Sequence, residues 1–525
     1  MCEACSQAAP TAQAMRCRGN PGAPRLLVAL FLSASLLCLA ASGAEALEAD
    51  LGPRLLEARR AWEKGDALGA QAAQAARRGG DPIPLLDQQE AAYETAEVAY
   101  RELVKLDAEH PHALADFGRF LIARKQFGEA RHRLESAVRS PRAEKALAAA
   151  ERAEALRALG GALERGGHWA RAIGAYREAL ELQPGDARAR LSLAIALCAW
   201  DDPADALEAL QPWAGAPDGW QALPASQRAL ALYTYAYAEE QDGRPEQALA
   251  GYKRARESSQ EAGEADLCGV AEQARLAAGR LGVLLRSLQP EGKRAAYERA
   301  ATLCREGARK KAAALRDKDA FALARHDLWQ AQEPAQQAQA RAQEPLKSLY
   351  QAMRCFQDAL LAEPKYGRAH RELGLCCLAL VEPKAALAHL EAAAAYDPCS
   401  PLVLALLGES QLAAGGWEKA LETFRRLLSL EPEYGPANLG FARAALRLHR
   451  SPNELDLARD ALDRARALGA DPRAVVKVRE ELDEAAARLK RGESLGAAVG
   501  PPRPPGAGPA APEPVPIWRG SVLDW

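Results

Sequence analysis

Aromatic residues make up only 6% of this 525-residue chain, which also holds just three Met and three Asn (Asn20, Asn438 and Asn453). The apolar share of 49% therefore rests mainly on Ala and Leu. These are strong helix formers, whereas strands would want more Val, Ile and Tyr. No Asn-x-Ser/Thr sequon occurs, so glycosylation says nothing about compartment. Nor is there an excess of either charge: 68 basic residues face 70 acidic ones, for a net charge of -2. That balance excludes a sequence-independent attraction to nucleic acid or anionic lipid. The phosphate-cradling and zinc patterns G-x-x-x-x-G-K-[ST], G-x-G-x-x-G and H-E-x-x-H are all absent. The eight histidines are scattered, and the one close pair, His110 and His112, flanks Pro111 with no acidic or Cys cluster beside it, as a solvated loop would. One catalytic pattern is met formally, Gly492-Glu493-Ser494-Leu495-Gly496. A nucleophile elbow needs a strand before it and an acid and a His after it, and no His follows His449. Neither catalytic residues nor a metal or cofactor site is expected, and the chain is read as a non-enzyme.

The N-terminus carries an address. Arg16, Arg18 and Arg25 precede an apolar or small run from Leu26 to Ala41, which ends in the small residues Ser42-Gly43-Ala44 and Ala44-Glu45-Ala46. A basic region, a short apolar stretch and an A-x-A-like end make a secretory signal peptide. At about sixteen residues the run is short for a bilayer span, so cleavage is favoured over retention as an anchor. Export to a periplasm or lumen, or N-terminal anchoring, is expected. The long basic lead from Met1 leaves room for a plastid-type address, or for a start at Met15. Cys2, Cys5, Cys17 and Cys38 would leave with that segment. The remaining seven of the eleven cysteines form no regular framework and are odd in number, which argues against a strongly oxidising destination.

The informative pattern is periodic. Glu363-Pro364, Asp397-Pro398 and Glu431-Pro432 recur every 34 residues, as do Gly374, Gly408 and Ala442. Between them stand Ala352, Ala386 and Ala420, each followed four residues later by Phe356, Leu390 and Phe424. Each period is a helical hairpin. Where its two helices cross closely the contact must be small on both sides, and each Pro ends a second helix by removing a backbone donor. The template fits upstream at Gly118, Phe127, Ala130 and Leu134, at Gly160, Trp169, Ala172 and Tyr176, at Ala194, Ala206 and Leu210, and at Ala236, Ala248 and Tyr252. A seventh hairpin has its second helix (Ala458, Leu462, Ala465) displaced by a short insertion after His449. In its small, aromatic and proline positions this pattern resembles the tetratricopeptide repeat family. The resemblance implies an all-α solenoid, a right-handed superhelix of antiparallel helix pairs, and a protein-binding rather than catalytic role.

The chain is expected to divide into a signal peptide or anchor (1–44), a weak helical repeat (45–86), a first repeat block (87–260), a charged helical stretch (261–345), a second block (346–472), a capping helix (473–491) and a disordered Pro-rich tail (492–525). The stretch 261–345 is either degenerate repeats or a linker. The tail ends in IWRGSVLDW, read as a docking motif or a frayed terminus.

A solenoid binds through the concave face lined by the first helix of each hairpin. The helical period puts Arg157, Leu191, Ile195, Tyr233 and Tyr237 there in the first block. In the second it puts Arg368, Arg371, Leu375 and Arg443 there, with Leu402, Glu409 and Leu439. Tyr and apolar positions flanked by Arg suit an extended peptide or a partner helix. For Leu191, Ile195 and Tyr233, packing between neighbouring hairpins is the alternative. Relatives that clamp acidic chaperone tails use a Lys, Asn and Arg set, and nothing here matches it. The expected function is a scaffold holding a protein or peptide in its groove. The alternative is a substrate-selecting accessory subunit of an enzyme or envelope-assembly complex. No nucleic-acid partner is expected, and membrane contact would come only through an uncleaved N-terminal segment.

Overall fold

The computed structural model describes residues 51–262, 268–289, 291–315, 344–448 and 452–491, apart from positions 77, 79, 201 and 217. The expected leader (1–44) and tail (492–525), with the Gly492–Gly496 pattern, lie outside them. All regular structure among the described residues is helical, and the fold is an all-α helical repeat. None of the helices in those residues is long and apolar enough to cross a membrane.

The chain forms two compact units that divide after Ala108. In the first, a helix over 51–76 packs against Ile83–Leu106. Gly65 makes the close approach, since a Cβ there would stand 2.5 Å from the Tyr93 ring. The Tyr93 hydroxyl donates to Asp66 at 2.6 Å and accepts from Gln89 at 3.0 Å.

In the second unit, hairpins run Pro111–Ala123 with Phe127–Arg139, Ala149–Arg165 with Trp169–Leu182, Ala187–Ala199 with Pro203–Ala214, and Ala225–Gln241 with Pro245–Ala262. Later ones pair Gly367–Ala379 with Pro383–Tyr396, Pro401–Ala413 with Trp417–Leu430, and Gly435–Leu448 with Pro452–Ala467. Helix Pro472–Lys490 covers the last. Helix starts follow from sequence: Asp186 accepts from the Arg188 and Ala189 amides and Ser400 from Val403, while Pro203, Pro383 and Pro401 occupy first turns, where a missing N–H costs nothing.

Packing within a hairpin explains the 34-residue period. A Cβ added at Gly118 would stand 2.5 Å from Leu134, one at Gly374 2.6 Å from Leu390, and one at Gly408 2.7 Å from Phe424. The small residue thus seats the large one sixteen positions later. Tyr176, Tyr252 and Phe424 are fully buried this way, each worth about 1.5–3 kcal/mol of transfer free energy.

The same contact identifies a hairpin that the sequence spacing hides. Helix Glu291–Ala314 packs on Glu344–Ala362, and a Cβ at Gly307 would stand 2.6 Å from Phe356. Here the two partners lie 49 residues apart in sequence instead of sixteen. Helix Cys268–Ser287 bridges to the preceding hairpin: its Leu284 packs against both neighbouring cores. The described part of 261–345 therefore continues the helical stack.

Seven residues after Gly118, Gly160, Ala236, Gly374 and Gly408, the turn between paired helices holds a left-handed residue, which after Gly118 is Lys125 at φ 58°. Gly167, Gly243 and Gly415 supply it at φ 78°, 80° and 81°, but Val381 sits there at φ 63°. A β-branched side chain in that region is strained by roughly 1–2 kcal/mol. Val381→Gly should raise stability by about 1 kcal/mol in thermal unfolding despite the greater freedom of the unfolded glycine. No change, or a loss, would mean that the turn relaxes around valine.

Candidate functional site

The second block packs against the first along a series of contacts. Lys125, in the first hairpin's turn, pairs with Glu433 at 2.6 Å, and Arg165, the last residue of helix Ala149–Arg165, lies 3.9 Å from Glu431. A Cβ at Gly128 would meet the Arg466 carbonyl at 2.9 Å, and one at Gly166 the Gly469 carbonyl at 2.7 Å. At the far end, Arg371 donates to the Gln241 side chain at 2.9 Å and Arg368 to the Gln241 carbonyl. In between, Arg280 joins Glu240 (2.7 Å) to Asp397 (2.6 Å) and stacks 5.2 Å over the Tyr396 ring.

These contacts border a half-open cavity of about 780 Å³, the size of a small-ligand site. One wall is built from first helices of the first block, with Ile195 and Cys198, then Leu230, Tyr233, Thr234 and Tyr237, and from Arg280 on the bridging helix. The other wall comes from loops of the second block, Tyr396–Leu402 and Leu430, Glu431 and Tyr434, with Trp169 at one end.

Burial and the nearby Asp397 push the Tyr233 phenol far above its usual range, and burial does the same to Tyr396 and, with Glu240, to Tyr252. These rings stay neutral at any physiological pH, offering apolar faces and hydroxyl donors. Burial raises the carboxyls of Glu164 and Glu240, although Arg280 partly offsets the effect at Glu240. Burial opposes the charge on Arg280, but Glu240 and Asp397 outweigh it and hold the guanidinium pKa above its ordinary value.

Of the residues projected onto the concave face, Ile195, Tyr233, Tyr237 and Leu402 line this cavity. Leu191 is buried in the core that includes Trp220 and Leu232. Arg157 lies near Asp186, 3.4 Å away, and Arg443 pairs with Glu409 at 3.0 Å. Arg368 and Arg371 are buried at the Gln241 turn, and Leu375 packs against the core around Cys377 and Leu390. The structure does not bring Arg157, Arg368, Arg371, Leu375 or Arg443 to the cavity. Sequence reasoning missed Trp169, Arg280, Tyr396, Asp397, Glu431 and Tyr434. The Asp397-Pro398 and Glu431-Pro432 pairs were visible as period marks, yet nothing local shows that they face the first block.

Among the described residues no group of three or more His, Cys, Asp or Glu is placed to hold a metal ion. His110 accepts the Ala113 amide at 3.2 Å and so caps its helix, and His370 and His389 contact each other at 3.1 Å.

Tetratricopeptide repeat family models match residues 153–186, 351–401 and 406–475. No curated protein matches the chain. Among solved structures the chain is similar to MamA, at 21% identity over 33% of this chain and 92% of that one, with a TM-score of 0.28. It is also similar to the complex of the TPR2AB domain of yeast Sti1 with pHSP90, at 16% identity over 56% and 98%, with a TM-score of 0.22. Both likenesses are too loose to carry an argument about arrangement.

Proposed function

We propose that this chain, which belongs to the tetratricopeptide repeat family, is a non-enzymatic scaffold whose cavity holds an extended segment of a partner protein. The observation that supports the reading is the cavity's composition: Tyr233 and Tyr237 face Tyr396 and Tyr434 across about 780 Å³, with ionic groups at the edges rather than a convergent catalytic set. Aromatic anchors of this kind contribute most of the affinity at peptide interfaces, because they bury large area at little entropic cost. The segment would enter as an extended chain, whose side chains alternate between the two walls. The reading places the encounter in the secretory pathway or at a membrane, on the strength of residues 15–46, which lie outside the described residues. A substrate-selecting accessory subunit is the second form of the same proposal, distinguished by whether the retained partner is a catalytic subunit.

The test compares proteins retained by the purified chain with those retained by a Tyr233→Ala, Tyr237→Ala variant, identified by mass spectrometry. The double variant should lose its partner, with affinity falling at least about tenfold. Arg157→Ala, which lies near Asp186 and does not line the cavity, should bind as the unaltered chain does. Retention by the still-folded tyrosine variant would remove the cavity from consideration.

A further inference from the structure

We propose that residues 517–525 of this same chain, IWRGSVLDW, occupy the cavity, with their two indoles in the space that a partner's segment must enter. This rests on the peptide-binding reading above and adds to it the occupant that a partner has to displace.

Composition is the first pointer. Residues 517–525 lie outside the described ones, but two of the chain's nine tryptophans, Trp518 and Trp525, fall among them, beside Ile517, Val522 and Leu523. The 25 residues before them, 492–516, hold no aromatic, and eight of the sixteen in 501–516 are proline. An apolar cluster that follows a stretch too poor in apolar residues to build a core can bury its rings only on a surface made by other residues.

The cavity offers such a surface. Leu276 lines it and is nevertheless 43% exposed, so apolar wall stands open to solvent beside the tyrosine rings. A volume of about 780 Å³ is that of a drug-sized ligand, which suits two indoles rather than nine whole residues. Arg519 and Asp524 leave the segment neutral, so it brings no net charge to a rim on which Arg165 and Arg280 already answer Glu431 and Asp397.

Reach is the third pointer. A Cβ on Gly435 would stand 3.1 Å from the Arg165 carbonyl and 3.3 Å from the Ala470 nitrogen, so position 470 lies beside a residue that lines the cavity. Helix Pro472–Lys490 starts two residues later and is about 28 Å long. At the roughly 3.1 Å per residue of a proline-rich chain, 492–516 reach about 75 Å, well over twice that length. A tether of this kind holds its end at an effective concentration of about 1 mM. A segment with an intrinsic dissociation constant of about 0.1 mM would then fill the cavity about nine-tenths of the time and weaken a competitor's binding about tenfold.

The test uses the full chain, its Trp518→Ala, Trp525→Ala variant, and two fluorescent peptides, IWRGSVLDW and the sequence of 501–516. The tryptophan peptide should bind the variant about tenfold tighter than the unaltered chain, whose own segment competes. Adding Tyr233→Ala and Tyr237→Ala to the variant should abolish that binding. Leu276→Glu, which puts a charge into the wall at an exposed position, should do the same without disturbing a buried ring. The proline-rich peptide should bind none of these proteins. Equal affinity of the tryptophan peptide for variant and unaltered chain, binding to neither, or binding that survives Leu276→Glu would overturn the proposal. So would a difference that vanishes when the protein is diluted, since the occupant would then be the segment of a second copy. If the proposal falls while partner retention still depends on Tyr233 and Tyr237, the cavity takes peptide and only its occupation by 517–525 is lost.

Discussion

Replacing Arg280 by Met is expected to cost about 3–5 kcal/mol at neutral pH, because it leaves a buried carboxylate without its cation. The Arg280 guanidinium donates to both oxygens of Glu240, at 2.7 and 3.0 Å, and pairs with Asp397 at 2.6 Å. Glu240 is 3% exposed at its side chain and would keep only the Tyr252 hydroxyl at 2.9 Å. The loss should depend on pH in a definite direction. In the unaltered chain burial already raises the Glu240 carboxyl against the pull of Arg280, and removing that pull raises it further. A group whose folded pKa lies above its unfolded value contributes stability that is full below the unfolded pKa and is lost as pH rises through the folded one. The deficit of Arg280→Met should therefore be largest at pH 7.5 and shrink toward pH 5 as Glu240 takes up a proton. Urea unfolding of both proteins at the two pH values measures it. Amide exchange should rise at 396–402, where Asp397 loses the contact that holds this loop to the first block. A deficit that does not change with pH would assign the loss to the stacking of the Arg280 guanidinium over Tyr396 rather than to the carboxylate left behind. Arg280→Lys should recover only part, since one ammonium cannot span both carboxylates as the planar guanidinium does.

The repeats were legible because they are local. Whether Gly408 can seat Phe424 is decided within one 34-residue unit, and the same letters return at Gly374 with Leu390 and at Gly118 with Leu134. The Gly307 hairpin escaped because its partner, Phe356, is displaced from the sixteenth position to the forty-ninth, while the packing chemistry is unchanged. The packing of the second block against the first escaped for a different reason. It depends on Lys125 meeting Glu433 and Arg280 meeting Asp397, pairs separated by hundreds and more than a hundred residues, with no periodicity to connect them. Projection along a helix finds a face but not what packs against it. It reaches Tyr233 and Tyr237, which look into the cavity, by the same rule that reaches Arg368 and Arg371, whose face is covered by the Gln241 turn. The second block contributes to the site through its loops, and loop residues carry no helical phase from which to infer direction.

Glu372→Gln is the second substitution expected to cost about 3–5 kcal/mol, this time through surplus positive charge. Glu372 is fully buried, with Lys311 at 2.5 Å, Arg371 at 3.1 Å and Arg368 at 4.0 Å. One carboxylate thus gathers three cations where the Gly307 hairpin meets helix Gly367–Ala379 and the Gln241 turn. Glutamine keeps the volume and an acceptor, so the change isolates charge. What remains is three like charges with little water to screen them, with the Gln241 oxygens accepting from the two arginines at one edge. Lys311→Met, which removes one of the three and leaves the carboxylate paired with arginine, should cost less, about 1–2 kcal/mol. The double variant tests whether the two act on each other. If Lys311 is there to meet Glu372, the combined loss should fall short of the sum of the single losses by about 1–3 kcal/mol. Simple additivity in chemical unfolding would mean that Lys311 and Glu372 are stabilised separately. A loss under about 1 kcal/mol for Glu372→Gln would mean that solvent reaches this seam and screens the arginines. With the expected result, the charge cluster, and not the apolar contact of Gly307 with Phe356 alone, fixes how this hairpin joins the second block to the first.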